Sequence, residues 1–196
     1  MKEHSERQTE ILSAAFTLIA NHGVQELTMK NLGAAIGVSE PALYRHFTSK
    51  RDILAGIVDR LEAIRNETWE LAKTSITAPL AALQLFFSHQ ARQFEEFPPL
   101  AILLFPEEIF RNDPELLARI HSIMQETTQD IEGLINKAKA ARCVRPEIDS
   151  CTATLLMTGG FRMLVAGWRG EQNKEHPSSL VQKASEFLNN TIQIMA

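Results

Sequence analysis

Cysteine is almost missing. Two in 196 residues, Cys143 and Cys151, make no disulfide framework and lack the paired spacing and histidines of a zinc site. A reducing cytoplasm is the expected compartment, and no metal or cofactor is expected. Only one tyrosine is present, valine is sparse, and no run alternates as a half-buried strand does. An excess of positive charge is also lacking. Twenty Lys and Arg face twenty-four Asp and Glu, a net charge of −4, which excludes a protein that coats nucleic acid by bulk charge but permits a local basic face. Long hydrophobic runs are few. The stretch from Thr152 to Trp168 carries Arg162 and three glycines and is too short and interrupted to span a membrane. It reads as a buried helix of a soluble protein. Met1 to Arg7 is polar and lacks the apolar core of a signal peptide.

Helical periodicity is plentiful. Ile11, Leu12, Ala15, Phe16 and Ile19 form one apolar stripe. Ile53, Leu54, Ile57, Val58, Leu61 and Ile64 form a second, and Leu180, Val181, Ala184, Phe187, Leu188 and Ile192 a third. Each follows the i, i+3, i+4, i+7 rule, so the chain is expected to be all-α. Gly23 ends the first helix as a left-handed cap. Further helices are predicted over 49–73, from Pro79 to the Pro98–Pro99 stop, from the Asp113–Pro114 cap to about 142, over 149–170 and from Pro177 to the end. The segment 100–112 is interrupted by Pro106. Arg169 to Glu175 reads as a polar loop.

Residues 28–50 carry the most information. Thr28–Ile36 and Ser39–Phe47 are two short helices, each opened by a hydroxyl cap, joined at a tight turn on Gly37. Met29, Leu32 and Ala35 face the core from the first, Leu43 and Phe47 from the second. Ser39, Glu40, Pro41, Ala42, Tyr44, Arg45 and His46 then point outward, which is a helix-turn-helix pattern. Short residues at the start of the second helix let it approach base edges, and Pro41 or Ala42 suits a thymine methyl. Tyr44, His46, Lys30, Thr28 and Lys50 are phosphate donors by chemistry. Arg45 and Arg51 either add attraction or face solvent. Residues 1–60 hold seven Lys and Arg and seven Asp and Glu, yet Tyr44 to Arg51 holds three cations, His46 and no acid. Salt-sensitive binding through a local patch is expected.

The run Gly37-Val38-Ser39-x-x-x-Leu43-Tyr44-x-His46-Phe47-x-Ser49-Lys50 closely resembles the signature of the TetR/AcrR family of transcriptional regulators. Arg7, Ile11-Leu12, Ala14-Ala15-Phe16, Gly23 and Thr28 fall where that family's first helix, turn and second helix have them. The resemblance covers about residues 5 to 65. It implies a three-helix DNA-binding head, here 1–48 with the helix-turn-helix at about 28–47, and a connecting helix 49–73. It also implies a larger helical body, 74–196, that binds an effector and dimerises. Ser39, Pro41 and Ala42 would sit at the groove, and Tyr44, His46, Lys50, Thr28 and Lys30 would hold phosphate or nearby bases. Two residues depart from the pattern. Gly33 stands where alanine is common and is expected to loosen its helix slightly. Glu40 is acidic on the reading face, where it repels phosphate and suits a cytosine amino group.

The body is rich in aromatics: six of the ten phenylalanines lie between Phe86 and Phe110. Phe86, Phe94, Phe105, Phe161, Met124 and Met157 are candidate walls for a small apolar or aromatic effector, with His89 and Gln90 (and Arg162) to orient it. The same residues also serve as plain core. Gly159, Gly160, Ala166 and Gly167 put small residues beside Met163, Leu164 and Trp168. With the stripe of the last helix they predict a two-fold dimer through 149–170 and 177–195. No Gly-x-Ser-x-Gly elbow, Walker loop or His-Glu-x-x-His is present, so no enzyme is expected. The function that the family resemblance implies, and that these features suit, is a ligand-responsive regulator, a repressor released from a pseudo-palindromic double-stranded DNA operator by a small apolar or aromatic effector. The alternative is a helix-turn-helix protein governed by a protein partner, with no small-molecule effector.

Overall fold

In the computed structural model, residues 4–171 and 178–196 are described. Among them every regular element is a helix. In chain order these are α1 (Glu6–His22), α2 (Met29–Ile36), α3 (Glu40–Tyr44), α4 (Lys50–Lys73), α5 (Pro79–Glu96), α6 (Glu107–Phe110), α7 (Pro114–Ala140), α8 (Ser150–Gly170) and α9 (Leu180–Met195). A short 3₁₀ turn, Val24–Glu26, precedes α2, and a longer one, Pro98–Leu104, fills the proline-rich link after α5. The all-α expectation holds. The expected helix start at Pro177 and most of the polar loop over 169–175 lie outside the described residues.

The ends of the helices follow local chemistry. Ser5 and Gln8 form a reciprocal capping box on α1. Gly23 ends that helix with φ 85° and ψ 164°, so it takes the positive φ expected but not the left-handed helical pair. Asp113 accepts from the Leu116 amide at 3.1 Å to open α7, and Asp149 accepts from Thr152 at 2.7 Å to open α8. Ser179 caps α9 in the same way, its hydroxyl accepting from the Gln182 amide at 3.2 Å, and a second group joins it. Glu95 Oε1, on α5, accepts from the Ser179 hydroxyl at 2.9 Å and from the amides of Leu180 and Val181. A carboxylate there satisfies orphan N–H groups and meets the positive end of the helix dipole.

The chain forms two compact units. One comprises Met1–Ile64 and Ile102–Ser122, the other Arg65–Ala101 and Ile123–Ala196, and α4 and α7 each contribute residues to both. The first unit buries Ile11, Leu12, Ala15 and Phe16 of α1 with Leu32, Leu43, Phe47, Ile53, Ile57 and Val58, together with Phe110, Leu116 and Ile120. Arg119 of α7 bridges Asp59 at 2.8 Å and Glu62 at 3.1 Å, both on α4.

In the second unit α5 packs along α9, and α8 packs on both. Phe86, Phe87, Met157, Phe161, Val165 and Leu188 are buried there. Phe87 meets Phe86 edge-on at 5.4 Å and Phe161 at 5.1 Å, the offset geometry that aromatic pairs favour. Helix α8 is not buried all round, contrary to the expectation for 152–168. Ala153, Met157, Phe161, Val165 and Trp168 are inside, whereas Leu155, Leu156 and Met163 are 69%, 65% and 67% exposed. Its apolar residues serve two faces. Among the described residues no helix is long and apolar enough to cross a membrane.

Candidate nucleic-acid interface

The site is built on the turn between α2 and α3. Thr28 opens α2 by accepting from the Asn31 amide at 3.1 Å. Gly37 ends it in the left-handed conformation, φ 71° and ψ 32°, which costs glycine little and other residues more. The Val38 amide then returns to the Gly33 carbonyl at 2.9 Å. Gly33 is buried, and a Cβ built on it would lie 2.7 Å from the Val38 carbonyl oxygen. The expectation that Gly33 loosens α2 misses its main role. It lets the backbone after the turn fold against the helix.

Leu43 and Phe47, 1% and 5% exposed, fix α3 to the core. Met29 and Leu32 do the same for α2, but Ala35 is exposed rather than core-facing. Helix α3 is shorter than its predicted range. It ends at Tyr44, and the amides of His46 and Phe47 both turn back to the Leu43 carbonyl, at 2.9 and 3.0 Å. Ser39 occupies the cap position with extended backbone, but its hydroxyl makes no capping bond, and the amides of Ala42 and Leu43 bond its carbonyl instead. The expected hydroxyl cap is thus absent, and the side chain is exposed at the helix start.

The outward residues fall on one surface. Ser39, Glu40, Pro41, Tyr44, Arg45 and His46 are exposed and Ala42 is half-buried. Thr28 and Lys30 are exposed on α2. The Gln8 side-chain amide donates to the His46 carbonyl at 3.2 Å, so α1 fixes the end of α3. No motif signals this contact, because the residues are far apart in sequence.

The structure redistributes the cations of the 44–51 patch. The Lys50 ammonium is half-buried and donates to the Val24 carbonyl at 2.9 Å. Arg51 binds Asp113 at 2.7 Å and Glu115 at 2.5 Å. Those bonds, the one to Asp113 first, hold its guanidinium more firmly protonated than usual. Asp113 in turn is pushed below the ordinary carboxylate range, chiefly by the Leu116 amide and then by Arg51. Arg45 is the exposed cation of that stretch that faces the groove between α1 and α3. The groove, of about 410 Å³, includes Arg7, Ile11, Val38, Leu43, Arg45 and His46 in its lining.

The second unit gathers most of the candidate effector residues. Phe86, Met157 and Phe161 are buried, and Phe94 lies 6.4 Å from Phe161. Gln90 and Met124 are half-buried. His89 is half-buried too, and its Nδ1 shares a hydrogen bond of 2.9 Å with the hydroxyl of buried Thr68. Phe105 belongs to the first unit and is 54% exposed.

Comparison with known proteins agrees with this geometry. Residues 11–57 match the family model of bacterial regulatory proteins, tetR family. A curated relative, the nucleoid occlusion factor SlmA of Vibrio cholerae, is 27% identical over 138 residues, which is 68% of each chain. The TetR family transcriptional regulator PfmR from Thermus thermophilus superposes with a TM-score of 0.74 at 20% identity, covering 93% of this chain and 97% of its own. The transcriptional regulator FadR from Bacillus subtilis, solved in complex with stearoyl-CoA, superposes with 0.72 at 20% identity, covering 96% and 99%. At such identity the two superpositions speak for the fold, and the family match for the head.

Proposed function

We propose, on the premise that this chain belongs to the tetR family of bacterial regulatory proteins and is a DNA-binding regulator of transcription, that it is a repressor released from a pseudo-palindromic operator by a small apolar effector. The observation that carries the DNA half of this reading is the surface of α3. Ser39, Pro41, Tyr44 and His46 are exposed above an anchor of buried Leu43 and Phe47. Small groups at the helix start admit close approach to base edges, while the phenol and imidazole behind them suit phosphate. Thr28 and Lys30 extend the phosphate contacts from α2. Lys50 contributes mainly by fastening α4 to the Val24 turn.

In this reading residues 1–48 are the DNA-binding domain, and 74–196 bind effector and dimerise. Two copies present two α3 helices about 34–36 Å apart, one turn of duplex. The dimer forms through 149–170 and 177–195. The exposed side chains Leu155, Leu156 and Met163 on α8 and Ile194 on α9 support a second copy as their cover. The cluster of Phe86, Phe94, Phe161, Met124 and Met157, with His89 and Gln90, suits an acyl chain or ring with one polar end. The stearoyl-CoA held by FadR makes acyl thioesters the first class to try. Effector binding shifts the population between two helix arrangements. A coupling of about 1–3 kcal/mol changes operator affinity roughly 5- to 150-fold. The cytoplasm, where duplex DNA is available, is the place of action.

Tyr44→Phe and His46→Ala test the assignment of the surface. Both weaken duplex binding while leaving helicity and subunit mass as in the wild type. Unchanged affinity in both variants refutes it.

A further inference from the structure

We propose that Arg7 and Arg45 together grip a DNA backbone phosphate in the groove between α1 and α3, beside the bases that α3 reads. The proposal rests on the DNA-binding reading above and adds two residues and a place to it.

Four observations carry it. First, two of the three cations of the 44–51 segment are otherwise engaged, Lys50 with the Val24 carbonyl and Arg51 with Asp113 and Glu115. Lys30 on α2 is one remaining exposed cation of the head, and Arg45, at the end of α3, is another. Second, Arg7 comes from α1 to the same groove, so two arginines and His46 line one concavity, and among the described residues no carboxylate lines it. Third, the floor is apolar, formed by Ile11, Val38 and Leu43. Charged hydrogen bonds above such a floor are less screened than on an open surface. Fourth, the rim is pre-set. The Gln8 amide holds the His46 carbonyl at 3.2 Å, and Arg7 Nη1 is steadied by Glu10 at 2.5 Å. Arginine carries five donors in a planar fork, so a single bond to Glu10 leaves others for phosphate oxygens. Glu6 and Glu10 on α1 and Glu40 on α3, all exposed, are the acids nearest in sequence to this rim. They limit the attraction without entering the groove lining.

The chemistry predicts a contact that is blind to sequence. Arg7 and Arg45 bind the strand wherever α3 docks, so they set affinity and salt dependence rather than base preference.

The experiment measures duplex binding by fluorescence anisotropy as KCl rises from about 50 to 200 mM. It uses the full-length protein and two probes of about 30 base pairs, one of mixed sequence and one recovered by selection. In the logarithmic plot of affinity against salt, the double variant Arg7→Gln/Arg45→Gln reduces the slope by about 0.9 per bound head, the share of one phosphate, and Arg7→Gln and Arg45→Gln each reduce it by part of that. Both probes lose affinity by the same factor. Arg7→Lys and Arg45→Lys keep the slope, since the charge stays, and they serve as controls for folding along with circular dichroism. Slopes equal to wild type in both glutamine variants overturn the proposal. So does a loss confined to the selected probe, because that marks base reading instead. A wild-type protein that binds neither duplex removes the DNA-binding reading itself, and this proposal with it.

Discussion

Gly33 and Val38 are in backbone contact. The Val38 amide donates to the Gly33 carbonyl at 2.9 Å, while the Val38 carbonyl oxygen would lie 2.7 Å from any Cβ at position 33. Gly33→Ala forces backbone to move, and overpacking of this kind costs about 1–3 kcal/mol. Alanine returns up to about 1 kcal/mol through its helix propensity. The expected outcome is lower thermal stability of the variant and weaker duplex binding, both measurable on one preparation. A variant as stable as wild type that binds DNA equally well contradicts the assigned packing of α2 against the turn.

The glycines of α8 separate intrachain packing from dimer packing. A Cβ on Gly160 would meet the Phe187 ring of α9 at 2.5 Å, whereas a Cβ on Gly159 or Gly167 would have nothing within 4 Å among the described residues outside its own helix backbone. Gly160→Ala therefore displaces the half-buried Phe187 ring within the protomer. Gly159→Ala and Gly167→Ala each stabilise α8 of an isolated protomer by up to about 1 kcal/mol. In the proposed dimer the same methyl groups stand where a second copy approaches, so both variants shift sedimentation toward the single-chain mass. If neither alters the subunit equilibrium, the dimer is built on another face.

Acid weakens the first unit through Asp113. Its folded-state value is depressed, by the Leu116 amide first and then by Arg51. Its contribution is therefore complete above the ordinary carboxylate value and is lost as pH falls through the lower, folded one. Asp149 behaves alike at the start of α8, held down by its bonds to Thr152. Urea unfolding from pH 5 downward, at about half-unit steps, shows a loss that is reduced in Asp113→Asn. Identical pH profiles for the variant and the wild type contradict the role given to this carboxylate.

Much of the head was readable in the sequence because its signals are local. Gly37 at a left-handed turn, Leu43 and Phe47 four apart, and Pro79, Pro98 and Pro114 at helix boundaries act over a few residues, and all lie where periodicity and capping chemistry place them. What escaped depends on residues far apart. The tie of Lys50 to Val24, of Arg51 to Asp113 and of Gln8 to His46 span 26, 62 and 38 positions. Composition alone therefore overstated the free positive charge after Tyr44. The Ser39 cap failed for a different reason: hydroxyl at a cap position is a preference, and here the backbone carbonyl alone accepts the first-turn amides. The candidate effector residues were legible as an aromatic reservoir, but the membership of Phe105 in the first unit was not.

The proposed reading of duplex DNA by two copies of α3 is tested by repeated selection of genomic DNA fragments with the purified protein at low ionic strength, followed by sequencing. The expected outcome is enrichment of an inverted repeat whose half-sites lie about one helical turn apart, and loss of that enrichment in Tyr44→Phe combined with His46→Ala. Recovery of fragments without any shared motif, or equal enrichment by the double variant, would contradict it.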